Sequence, residues 1–193
     1  MNSNQHLFGK FEFQFDAVFY IDDLGSNYMT YLKSKHQDEP LLFLISAKEF
    51  RIEPDRISAQ MINKTYIHDG AEREVNLSGA TKATIVKKLE QLETSYDYAL
   101  LKTIFDEAFV IVYLELMSDS FHRYLHSKTF IDFIKYKDSN YLNKIGRIPS
   151  EMAISGLNRS EPKRTGWRYL RNKLSCLWFD KICTFKFTSS MKA

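Results

Sequence analysis

His122 and His126 are four residues apart, a spacing that puts two imidazoles on one helical face, where they could chelate zinc or copper. No glutamate stands between them as in zinc peptidases and no third ligand is apparent, so they read as solvated surface histidines and no metal is expected. Cys176 and Cys183, seven apart, lack the close spacing of a zinc knuckle or redox pair. There is no Gly-rich phosphate loop, nucleophile elbow or kinase signature, so neither catalytic residues nor cofactors are expected. A self-contained enzyme is therefore not expected.

The elements that must hold these residues read as helices. Tyr28, Tyr31 and Leu32 share one face, and Asp38 and Glu39 ahead of Pro40 predict a capped helix start that continues to Phe50. Glu53 and Pro54 predict another start, with Ile57, Met61, Ile62 and Tyr66 as its stripe. Thr81 is the expected cap of a fourth helix, with Ile85 and Leu89 inward. The longest pattern runs from about Asp97 to Met117, where Leu100, Leu101, Ile104, Phe105, Ala108, Phe109, Val112 and Leu116 keep helical spacing; it predicts one unbroken central helix. Asp119 is expected to start the next, and Phe130 to Ile134 a short last one.

With 193 residues, 44% hydrophobic and 15% aromatic, the chain can bury a core, while 7 Gly and 4 Pro without turn-bounded strands argue against an all-β fold. The fold class is therefore all-α. No amino-terminal signal-like segment or bilayer-length apolar run is present, so an intracellular protein is expected. Residues 1–159 hold 19 basic and 22 acidic side chains, net −3, whereas 160–193 hold 8 and 2, net +6. The composition thus divides the chain into a body over 15–136, a linker without sustained helical period over 137–165, and a basic aromatic tail over 166–193.

In the body, Phe105 to Phe130 reads FDEAFVIVYLELMSDSFHRYLHSKTF. It resembles the end of a regulator of G-protein signalling (RGS) domain: a phenylalanine-aspartate-glutamate-alanine start, an aliphatic helix, then aspartate-serine-aromatic-x-arginine-aromatic-leucine-x-serine. REVNL, Arg73 to Leu77, is similar to the family's glutamate-valine-asparagine-leucine loop. DDLGSNYMTYLKS, Asp22 to Ser34, resembles its aspartate-x-x-glycine opening, and EPLLFLISAKEF, Glu39 to Phe50, its glutamate-asparagine helix. The resemblance implies a bundle of about nine helices in two lobes that binds an activated G protein α subunit and speeds its GTP hydrolysis. It implies contacts from Glu39, Asn76, Asp119, Ser120 and Arg123. Pro40 departs from the family's asparagine and Glu115 from its leucine at contact positions, as do Lys35 from glutamate and Leu44 from tryptophan. Kept fold with lost activation, as in scaffold-type relatives, is the alternative reading.

In the tail, Trp167, Leu170, Leu174 and Trp178 can share one face, with Arg168, Arg171 and Lys173 around the other. Such a basic amphipathic helix would contact an anionic membrane through Trp167, Arg168, Arg171, Lys173 and Trp178, a peripheral location at the inner face of the plasma membrane; a helix packed against the body through its tryptophans, or an unstructured end, is the alternative. The acidic body argues against nucleic acid as the partner.

Overall fold

The computed structural model describes residues 13–146, and every regular element among them is helical, as expected. They divide into two units, one of residues up to Asn27 together with those from Tyr136 onward, the other Tyr28–Lys135. None of the described helices is long and apolar enough to cross a membrane.

The first unit holds α1 (Ala17–Tyr20), the start of α2 (Asp22–Ser34) and α10 (Ser139–Gly146). Phe15, Val18, Phe19, Leu24, Leu142 and Ile145 are buried, and Phe15 meets Phe19 edge to face at 5.4 Å. Lys137 Nζ and the Tyr141 hydroxyl both donate to the Asp23 carboxylate, and the ammonium lies over the Tyr141 ring at 4.4 Å. Burial alone would raise the Asp23 pKa; the bonds from Lys137 and Tyr141 overcome it and hold the group below the usual carboxylate range. Helix α10 gives residues 139–146, at the start of the expected linker, a helical period that the sequence reading did not find there. Its start is fixed by Asp138, whose carboxylate accepts from the Tyr141 amide at 2.7 Å.

The second unit is built around α3 (Glu39–Ile52), which buries Leu41, Leu42, Phe43, Leu44, Ile45, Ala47 and Phe50. A helix apolar nearly all round must sit inside, so α3 is the central helix, in place of the expected Asp97 to Met117 segment. That segment is broken: α6 (Tyr98–Lys102) ends at Thr103, whose hydroxyl donates to the Ala99 carbonyl at 2.9 Å, and α7 (Asp106–Glu115) begins after Phe105. Side-chain competition for the backbone loosens the helix there. The turn lets Phe105 pack against Phe50 at 5.3 Å and Phe43 at 6.4 Å, while Arg51 pairs with Asp106 at 3.2 Å.

Two predicted helix starts are also corrected. Helix α4 (Arg56–Ile62) is capped by Asp55, whose carboxylate accepts from the Ser58 amide at 2.9 Å, so Glu53 and Pro54 lie ahead of it and Ile57 is exposed. It continues as a π segment, Asn63–Ile67, that buries Tyr66 and Ile67. Helix α5 (Gly79–Thr94) is capped by Ser78, which accepts from the Thr81 amide at 3.1 Å; Thr81 is buried one turn in. Helices α8 (His122–Leu125) and α9 (Lys128–Ile134) complete the unit.

Candidate functional site

Three groups of sequence-predicted residues can be followed from their supports outward. The first is Asn76. Gly70, at φ +75, turns the chain after the π segment and donates its amide to the Glu74 carboxylate at 2.8 Å. Lys82 Nζ reaches back from α5 to bind both Glu74 and Asp69, the latter at 2.7 Å. These contacts with Lys82 draw the carboxyls of Asp69 and Glu74 down and push the Lys82 ammonium up. The Val75 amide donates to the Tyr66 carbonyl at 2.8 Å. Val75 and Leu77 are buried, so the extended chain between them turns Asn76 outward, where it is exposed.

The second is the start of α3. Pro40 occupies the first turn, where its missing amide hydrogen costs nothing. Asp38 stands at the cap position without capping; its carboxylate lies 3.9 Å from Arg73, three residues before Asn76. That ion pair ties the half-buried Glu39 and Pro40 to the Asn76 loop. The connection from α2 is made by His36, whose φ of 53 ends that helix with the Gln37 amide returned to the Leu32 carbonyl.

The third group lies beyond α7, and here the expected helix start at Asp119 is overturned. Backbone angles stay helical from Glu115 through His122, and Leu116–Phe121 is a π segment joining α7 to α8 without a break. In an α-helix extending the Ala108, Val112, Leu116 stripe, positions 119 and 123 would fall toward the core. The wider π turn shifts the register by a residue, and Ser120, Phe121 and Tyr124 are buried instead. Asp119 and Arg123 are thereby exposed, with Arg123 Nη2 donating to Asp119 Oδ2 at 2.8 Å. Glu115 is exposed one turn earlier.

Ser120 is not on this surface. It is buried, with its hydroxyl at the Tyr28 phenol, which burial pushes up while Ser120 opposes the shift. Tyr28 packs on Phe121 at 5.6 Å and on Tyr124 at 4.9 Å, and Tyr31 on Tyr124 at 5.4 Å. Sequence reasoning gave Tyr28 only a helical face; its place beneath the Asp119–Arg123 turn depends on contacts nearly 100 residues apart. Lys82 was likewise missed, although the acids on both sides of Gly70 were a usable signal. Lys35 is exposed and Leu44 fully buried in the core. Trp167, Arg168, Arg171, Lys173 and Trp178 lie outside the described residues. Among the described residues no group of three or more His, Cys, Asp or Glu side chains is placed to hold a metal.

The site can bind and orient, since its outward groups are an amide, an ion pair and carboxylates. Comparison with known proteins covers the same stretch of chain. Residues 14–133 match the regulator of G protein signaling domain model. The chain is 30% identical over 117 residues to regulator of G-protein signaling 13 of Homo sapiens, covering 58% of this chain and 69% of that protein. It is 27% identical over 115 residues to regulator of G-protein signaling 1 of Equus caballus, covering 58% and 55%. With regulator of G-protein signaling 18 of Mus musculus the identity is 29% over 125 residues, 63% of this chain and 50% of the relative. The matched stretch thus spans between half and about two thirds of these relatives.

Proposed function

The chain belongs to the regulator of G-protein signalling family, and from that premise we propose that it binds an activated heterotrimeric G protein α subunit and accelerates its GTP hydrolysis, attenuating the signal. The observation that carries this reading is the exposed Asp119–Arg123 pair, held outward by the π turn over a packed aromatic layer. A preformed ion pair on a rigid base offers a fixed charge pattern to a partner at little ordering cost.

An α subunit supplies its own arginine and glutamine, and its rate depends on how well mobile switch segments hold them around the attacking water. A partner that prefers the transition-state arrangement lowers the barrier by differential binding, without catalytic groups of its own. A preference of about 2 to 4 kcal/mol corresponds to roughly 30- to 1000-fold acceleration. Asn76 bridges switch backbone groups, and Arg123, oriented by Asp119, meets an acceptor. Glu39 and Glu115 border the contact, and Ser120 acts from below by positioning the turn. Pro40 contributes shape alone, having no side-chain donor.

Pro40 and the exposed Glu115 also favour a second reading, a helical interaction module that binds without accelerating hydrolysis. Single-turnover GTP hydrolysis by a panel of α subunits, with and without the full chain, separates the two. Acceleration together with tighter binding to fluoroaluminate-loaded than to GDP-loaded subunit supports activation; equal affinity for both forms and no acceleration defeat it. In either reading the basic aromatic segment 166–193 serves as a peripheral membrane contact from the cytoplasm, near lipid-anchored α subunits.

A further inference from the structure

We propose that His122 and His126 form a two-imidazole site for a borderline divalent transition-metal ion such as Zn2+ or Ni2+. Both side chains are exposed, on α8 and at its C-terminal cap, and their ring centres stand 4.9 Å apart with the planes at 53°. Two imidazoles sharing one tetrahedral ion, each nitrogen at about 2.1 Å from it, have ring centres about 5 Å apart. The observed pair is already at that separation.

The backbone beneath the pair is fixed. His122 follows the π turn with helical angles, Tyr124 between the histidines is buried in the aromatic layer, and Ser127 starts the next helix by accepting from the Phe130 amide at 3.2 Å. The cation nearest in sequence, Arg123, is turned toward Asp119 and bound to its carboxylate, which offsets its repulsion of a dication. With no third protein ligand, water completes the coordination sphere. Such a site selects ions that favour neutral imidazole nitrogen over oxygen, and takes Mg2+ or Ca2+ poorly.

Calorimetric titration of the full chain with Ni2+ and with Zn2+, alongside His122→Asn and His126→Asn, tests the assignment. The variants also discount binding by residues elsewhere, because only the difference from the unsubstituted chain is read. The expected result is one binding event that weakens about tenfold or more in either variant, with metal-free melting temperatures unchanged. A second readout is the pair of imidazole ring proton resonances, which should shift or broaden on adding Ni2+ to the unsubstituted chain. Identical affinity and stoichiometry in all three proteins, or unperturbed ring resonances of His122 and His126 at saturating Ni2+, would overturn it.

Discussion

Arg123 Nη2 lies 2.8 Å from Asp119 Oδ2, and both residues face solvent because the π turn between Leu116 and Phe121 rotates them off the core stripe. The pair is exposed, so it adds little to stability; in the proposed function its value lies in presenting an oriented guanidinium. Replacing Arg123 by Ala should therefore leave unfolding free energy within about 0.5 kcal/mol while reducing single-turnover acceleration of an α subunit's GTP hydrolysis at least about tenfold. Chemical denaturation and a hydrolysis assay on the same protein read the two effects.

Asn76 offers the same separation on a different support. Its neighbours Val75 and Leu77 anchor the loop, and Asn76 itself faces outward. Asn76→Ala should abolish acceleration with the melting temperature preserved, whereas a stability loss matching the activity loss would place Asn76 in the fold.

Pro40 sits in the first turn of α3 without a side-chain donor. If the adjacent switch contact lacks a hydrogen bond worth about 1 kcal/mol or more, Pro40→Asn should raise the acceleration about fivefold or more. An unchanged rate in the hydrolysis assay would mean that the remaining contacts already compensate for the proline.

The Lys82 staple has a pH window whose sign is fixed. Asp69 and Glu74 are held below their ordinary values, so their contribution is complete above the unfolded carboxylate range and fades as pH falls below about 4. Lys82 is held above its ordinary value, so its contribution is lost as pH rises above about 10.4. Amide hydrogen exchange at Val75 and Leu77, taken relative to the intrinsic rate at each pH, should show protection falling at both extremes. A Lys82→Met chain should lose that pH dependence.

Phe105 closes the break between α6 and α7 against Phe43 and Phe50. Deleting its ring leaves a cavity beside the central helix, so Phe105→Ala should cost about 3 to 5 kcal/mol in equilibrium unfolding.

The sequence by itself settled the helical class and the family, because apolar spacing and loop chemistry are local and survive in a one-dimensional pattern. Val75, Asn76 and Leu77 alternate in the chain as they do in space. Only the tertiary structure decided that the long apolar run breaks at Thr103, that α3 is central, and that Ser120 points inward. The α and π windings of Leu116–Phe121 differ little along the chain. What separates them is burial of Phe121 and Tyr124 against Tyr28, a residue almost 100 positions away, and no local period carries that energy. Ser78 and Asp55 prevailed over Thr81 and Glu53 as caps for a related reason: several residues in each stretch could cap, and the packing of the following helix selected one.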